Sequence, residues 1–360
     1  MGYSLGYEVL PRVISQGALR ALPKVELHRH LDGSVRFQTV VDIARKHNLD
    51  LGTSSAEQLR RRTRITQPMR DLAEVLAAFA TIQKVLCCYE AIRRVTFENV
   101  EDAWHDGVRL VELRFAPTFI AEGKPIEHGE IIEAVLDGIG DGMAVYPIQV
   151  GLIGIVPRDF DLEANRRATE ELIRFACSRH PQAGRLCGFD LASAEDTTDP
   201  RHFLPLVEAA RQAGLGITIH SGENTGASCV ERTLDLFRPS RIGHGIASWG
   251  RSDLLDRLKR EEVLLEICPT SNWLTHSVAS LEEHPLPALY RAGVAVCLNS
   301  DDPNLMNIDL VHEYSLCARI YGFALRDFQA LNRLALAHSF LPEEIRSRVH
   351  REIFPAEGGP

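Results

Sequence analysis

Short apolar runs alternate with segments of helical periodicity along most of the chain. Runs at 25–30, 109–116, 146–156, 186–191, 216–220, 241–244, 263–268 and 294–299 read as buried strands. Between them, apolar residues recur on one helical face, as in Ile131, Val135 and Ile139, or Leu172, Phe175 and Ala176. Eight strands, each followed by helix, predict an α/β fold of the closed (β/α)8 barrel type rather than an open doubly wound sheet. No Gly-rich dinucleotide fingerprint follows any run, which points the same way.

One connection is too long for a single return. Between residues 31 and 108 the pattern predicts several helices, including 71–86 and 89–105. The expected organisation is one (β/α)8 domain over 1–355, in which 37–105 form a helical insertion lying over the barrel mouth as a lid. The tail 353–360, ending Pro-Ala-Glu-Gly-Gly-Pro, is expected to be disordered.

Composition narrows the partners. The chain is 45% hydrophobic and 25% charged with a net charge of −9, and only five of its basic residues are Lys. It has no basic stripe with interleaved aromatics, so a nucleic-acid polymer is not expected. No segment has the length of a membrane span and no apolar leader is visible, so the expected setting is cytoplasmic, without a membrane partner. Eight cysteines without CxxC spacing read as small core side chains rather than a disulfide framework. The sequence carries no signal of an oligomeric state.

Chemistry-bearing residues fall at the ends of the predicted strands. Residues two apart in a strand share a face, so His28 and His30 in Glu-Leu-His-Arg-His point together into the barrel. Alone, such a pair is more often a surface or core feature than half of a metal site. Here His220 ends the fifth run, His244 ends the sixth, and Asp301 and Asp302 come after the eighth. A closed barrel brings all of these to one mouth, which packing does not explain. Three neutral imidazoles and a carboxylate suit Zn²⁺, and a water on that ion would be the natural nucleophile. Glu223, three residues past His220 in His-Ser-Gly-Glu, is placed on the adjoining loop as a general acid.

Five motifs then carry a resemblance: Pro23-Lys-Val-Glu-Leu-His-Arg-His-Leu-Asp-Gly-Ser34, His220-Ser-Gly-Glu223, Arg241-Ile-Gly-His-Gly245, Cys268-Pro-Thr-Ser271 and Asn299-Ser-Asp-Asp-Pro303. In this order, and spread over about residues 20 to 340, they make the chain similar to the adenosine deaminase family of metal-dependent amidohydrolases. The resemblance implies one Zn²⁺, or another divalent transition metal, on His28, His30, His220 and Asp301. It implies that Glu223 protonates purine N1, that His244 orients and helps activate the water, and that Asp301 accepts the water's proton. Asp302 is expected at N7, Asp32 at the sugar hydroxyls and Ser193 at N3, with His30 also beside the substrate.

The implied activity is hydrolytic deamination at C6 of a small purine compound, foremost adenosine or deoxyadenosine, giving inosine or deoxyinosine and ammonia. Adenine, methylthioadenosine, aminofutalosine and N6-substituted adenine nucleotides are the alternatives. Asp32 favours a nucleoside, because adenine deaminases of this family commonly carry Glu there. A catalytically silent nucleoside-binding barrel would be expected to lack a ligand or the acid, and this chain lacks none. Hydrolysis of an amide or ester is disfavoured by the purine-contacting pair Glu223 and Asp302. A binuclear centre bridged by a carboxylated Lys is excluded, since no Lys lies between Lys124 and Lys259.

Two positions depart from the family pattern. Arg29 stands where Val is usual and should point out of the barrel. Ser193 stands where Gly is typical, keeping the backbone N–H but adding a side chain near the sugar pocket. Arg64, Arg70 and Trp273 are candidates for facing the variable end of the substrate.

Overall fold

The strands β1 (Lys24–His30), β2 (Val108–Phe115), β3 (Gln149–Pro157), β4 (Leu186–Ala192), β5 (Gly216–Ser221), β6 (Arg241–His244), β7 (Leu264–Ile267) and β8 (Val296–Leu298) pair in sequence order, every pair parallel. This computed structural model describes residues 14–70 and 72–355. Helices come after each strand, and the whole is a nearly closed (β/α)8 barrel. The third strand opens later than the apolar run suggested. Tyr146 N–H is still taken by Gly142 O at 2.8 Å as the helix His128–Val145 ends, and Pro147 has no N–H to give.

β8 is only three residues long, so the seam to β1 is closed by the segment 299–301 immediately beyond it. Asn299 Oδ1 accepts Leu27 N–H (2.9 Å), Asp301 N–H reaches His28 O (3.1 Å), and His30 N–H reaches Asp301 O (2.8 Å). The barrel therefore closes through residues singled out as metal ligands. β1 also carries a register shift between Glu26 and Arg29. That irregularity lets neighbours Leu27 and His28 both face inward. Leu27 packs with Leu264, and His28 bonds Glu266, two residues further along β7. Arg29 pairs with Glu26 (3.1 Å) and is buried, away from the mouth.

The interior is layered. At the bottom Val25, Leu27, Leu110, Leu264 and Cys297 form an apolar cluster with Leu341, Ile353 and Phe354. Phe340 plugs this end, and a Cβ on Gly216 would lie 2.2 Å from its ring, so only glycine fits there. Above it sits a buried ionic layer, where Arg241 pairs with Glu112 (2.7 Å) and Glu266 (2.7 Å). Burying such charges is tolerated only because each has a partner. The expected disordered tail begins too early at 353. Ile353 closes the helix Glu343–Ile353, and Phe354 is buried beside it; residues 356–360 lie outside the described part.

Between β1 and β2 the chain forms the helices Phe37–His47, Ala56–Arg62, Leu72–Gln83 and Tyr89–His105. The last packs closely on His128–Val145, whose Gly138 and Gly142 admit Thr96 and Val100. All eight cysteines are free thiols; Cys187, Cys229, Cys268, Cys297 and Cys317 are buried, while Cys177 is exposed. Among the described residues, no helix is long and apolar enough to cross a membrane.

Candidate active site

A cavity of about 230 Å³ opens at the C-terminal ends of the strands. Its lining includes His30, Asp32, Ser193, His220, Glu223, His244, Asp301 and Asp302. His28 lies just beneath them, fully buried. The nine residues given a metal, catalytic or purine-contacting role from the sequence thus meet in one place. Arg64, Arg70 and Trp273 are not among the residues lining the cavity; Arg64 instead lies near the Phe37 ring at 5.9 Å.

The donor atoms converge closely. Asp301 Oδ1 is 3.2 Å from His28 Nε2 and 3.2 Å from His30 Nε2, and the two ring nitrogens are 3.3 Å apart. The His220 ring centroid lies 4.7 Å from that of His28 and 5.4 Å from that of His30. Tetrahedral coordination at about 2.1 Å spaces donors by about 3.4 Å, so this set fits a cation such as Zn²⁺. His28, His220 and His244 also bring one ring nitrogen each within 4.8 Å of one another, so distance alone leaves the ligand set ambiguous.

The supporting residues are as ordered as the donors. Glu266 accepts His28 Nδ1–H (2.8 Å), and Asp190 accepts His220 Nδ1–H (2.9 Å to the nearer oxygen). Each carboxylate fixes its imidazole with the Nε2 lone pair aimed at the centre, as metal-binding histidines require. Arg114 bridges the two, at 2.9 Å from Asp190 and 2.8 Å from Glu266. Burial opposes charge on both acids, yet Arg114 and the histidines hold them well below the usual carboxylate range. Asp190, Glu266 and Arg114 were missed from the sequence. The signal was there: a charged residue in the middle of an apolar strand rarely lacks a task.

Electrostatics divides the remaining carboxyls. Burial would raise Asp301, but His28, His244 and His30 around it keep it well below its ordinary value. Burial, then the neighbouring Asp301 and Glu195, push Glu223 up to about 8. Burial and the charges of Asp301, Asp32 and Glu223 raise Asp302 well above its ordinary value. Burial and the neighbouring charges thus favour the protonated form of both carboxyls facing the cavity, the form in which each can donate a hydrogen bond or a proton. Asp32 is raised to about 6 by burial, and Gln83 of the helix Leu72–Gln83 donates to it at 2.6 Å.

Backbone geometry is spent on the same residues. Ser193 (φ 69°), His244 (φ 59°) and Asp301 (φ 63°) are all left-handed, a conformation costly for a residue with a Cβ. For Ser193 this explains why glycine suits the position. Gly33 has a different reason: a Cβ there would lie 1.8 Å from Asp302 Oδ1. Glu195 anchors the loop after β5, accepting Gly222 N–H (2.6 Å), Glu223 N–H (2.9 Å) and the Thr225 hydroxyl (2.6 Å).

The outer wall differs in character. Val75, Phe79 and Ala80 of the helix Leu72–Gln83, with Ala116, Phe119, Ile155, Pro157 and Phe160, present an apolar surface. Asp159 joins it at the rim. Among the described residues lining the cavity there is no Lys or Arg. The arrangement can thus bind a flat, largely uncharged molecule over a cation site and offer it two carboxyls whose burial favours the protonated, donating form.

Comparison with known proteins agrees with the geometry. A family model described as adenosine deaminase matches residues 23–355. The adenosine deaminase of Erwinia tasmaniensis is 35% identical over 332 residues, covering 92% of this chain and 98% of that protein. Among solved structures, an adenine deaminase from Arthrobacter aurescens superposes with a TM-score of 0.82 at 26% identity, covering 92% of this chain and 98% of its own. The N6-methyl-AMP deaminase of Arabidopsis thaliana matches with a TM-score of 0.82 at 27% identity, over 95% and 99%.

Proposed function

This chain belongs to the adenosine deaminase family of C–N hydrolases, and from that premise we propose that it deaminates adenosine and deoxyadenosine at C6 with one Zn²⁺. The family is metal-dependent. The observation that carries the reading is a four-donor N/O cluster that shares one cavity with two carboxyls, Glu223 and Asp302, whose burial favours the protonated form.

His28, His30, His220 and Asp301 would hold the ion. Bound there, it supplies Lewis acidity, which brings the pKa of a water down towards neutrality. The chain's own residues do the rest. Glu223, protonated at neutral pH, donates to N1, drawing electron density from C6 and making it electrophilic. Asp302, whose protonated form is favoured by burial and the neighbouring carboxylates, donates to N7. Two neutral acids thus meet the two ring acceptors that flank the amino group. Asp301, kept ionised by its histidines, takes the proton from the attacking water. His244 orients that water. Asp301 then passes that proton to the amino group, the C6–N bond breaks and ammonia leaves, and the hydroxyl left on C6 gives its proton back to Glu223 as the C6=O bond forms.

Substrate choice rests on the wall. The absence of cationic side chains among its described residues supports an unphosphorylated nucleoside over a nucleotide. Asp32 would meet sugar hydroxyls, and Ser193 would lie against the purine edge. The helix Leu72–Gln83, joined to Asp32 through Gln83, is the natural lid of the 37–105 insertion. The test is a panel assay of zinc-loaded protein against adenosine, deoxyadenosine, adenine, methylthioadenosine, aminofutalosine and N6-methyl-AMP, with ammonia measured. Adenosine and deoxyadenosine should turn over fastest. A preference for N6-methyl-AMP would overturn the nucleoside assignment while leaving the deaminase chemistry standing.

A further inference from the structure

Behind His244 lies a buried chain of hydrogen bonds whose direction chemistry alone determines. Leu286 N–H donates to His284 Nδ1 (3.0 Å). A backbone N–H can only donate, so this ring nitrogen carries a lone pair. The neutral His284 ring, 2% exposed, must then bear its proton on Nε2, which reaches Asn272 Oδ1 at 3.1 Å. Turning the Asn272 amide over would set its N–H₂ against that N–H, so the orientation is not free. The amide nitrogen consequently faces His244 Nδ1, 3.1 Å away, and donates to it. His244 Nδ1 is therefore a lone pair. In the neutral ring the single proton sits on Nε2, and an imidazolium would again place N–H against N–H.

We propose that Asn272 and His284 are positioning residues that fix the tautomer of His244, so that it offers the reaction an N–H donor and not a base. The kinetic consequence rests on the deaminase reading; the tautomer itself does not. His244 Nε2 lies 3.7 Å from Glu223 Oε2 and 3.8 Å from Asp301 Oδ2, too far for either to use up the N–H. It remains available to the oxygen that adds to C6, whose negative charge grows as the C–O bond forms. The same chain settles the ambiguity among the three converging rings. Carboxylates behind His28 and His220 leave Nε2 lone pairs facing the centre, whereas the amide behind His244 leaves an N–H. His244 is accordingly not a ligand.

The test uses Asn272→Asp, nearly isosteric but with two acceptor oxygens. His284 Nε2–H keeps its acceptor, and the second oxygen draws the His244 proton onto Nδ1. In ¹⁵N-histidine-labelled, zinc-loaded protein, with His244 assigned by its loss in His244→Gln, wild type should show a proton on Nε2 and none on Nδ1. Asn272→Asp should show the reverse. Its kcat for adenosine should fall by about 10²–10³-fold, the scale of a lost oxyanion donor, with KM and zinc content little changed. His284→Gln, whose amide can still donate to Asn272, should retain most of wild-type kcat. A wild-type His244 protonated on Nδ1 would overturn the proposal, as would undiminished kcat in an Asn272→Asp protein with the reversed tautomer. Failure of wild type to deaminate any purine would instead count against the functional reading, and the tautomer would still be decided by the spectrum.

Discussion

The floor and the outer wall of the cavity are built on different terms. On the floor, the polar groups that face the site are held from behind: His28 by Glu266, His220 by Asp190, both acids by Arg114, His244 by Asn272. The wall is mostly apolar side chains from connecting segments, such as Phe119 and Phe160 in edge contact at 5.3 Å. Hydrogen-bonded networks in a low-dielectric interior specify one geometry, whereas apolar surfaces tolerate re-packing. Chemistry would therefore be fixed by the floor and substrate choice left to the wall. The structural relatives fit this division. One is named for adenine and another for N6-methyl-AMP, on one barrel.

That contrast can be broken at several points. The largest effect is expected for His28→Ala, which removes a donor and leaves Glu266 without its partner. Elemental analysis should find zinc largely absent, and deamination should be lost with it. Next comes Glu223→Gln, where kcat should drop by about 10²–10⁴-fold while zinc stays bound. The same residue sets the pH dependence. In the proposed mechanism its acid form is the working form, and burial raises its pKa to about 8, so kcat/KM should hold through neutral pH and fall as pH rises past about 8. A rate that climbs steadily above that pH would remove Glu223 as the acid.

Glu266→Gln probes the floor one layer down. Zinc affinity should weaken by about 10–100-fold, measured by chelator competition, because His28 loses the carboxylate that orients it. A wall variant should behave otherwise. Phe160→Ala should raise KM for adenosine by roughly tenfold, about 1–2 kcal/mol of lost apolar contact, with kcat nearly unchanged. A drop in kcat alone would show that the wall also positions the reacting atoms. The smallest effect is expected at the border between the two regions. Ser193→Gly should relieve the left-handed backbone and raise unfolding stability by about 0.5–1 kcal/mol in urea titration.

The same division explains what was legible in the sequence. Strand-end residues stood out because an apolar run ending in His or Asp–Asp is conspicuous, and barrel topology alone brings such ends together. Strand alternation put His28 and His30 on the right face without the register shift at Glu26–Arg29, which also turns Leu27 inward. Strand limits slipped where local bonding outweighed hydrophobicity, as at Tyr146 and Pro147. Among residues acting through others, Asp190, Glu266 and Arg114 were at least marked by their charge within apolar strands, whereas Asn272 and His284 carried no such mark. Asn272 and His284 sit 12 positions apart, and nothing in their spacing shows that one amide links two rings. The wall was the least legible part, since Phe119 and Phe160 look like any core aromatic until the cavity is seen.

Metal-dependent hydrolysis at C6 stands or falls on a single titration. Protein stripped of metal by a chelator and then titrated with Zn²⁺ would be given adenosine, with inosine and ammonia both quantified. Turnover should be negligible without metal, activity should rise to a plateau at one Zn²⁺ per chain, and inosine should equal ammonia throughout. Full activity in the stripped protein, or no inosine at any zinc loading, would contradict the floor's assignment as a metal-dependent deaminase site.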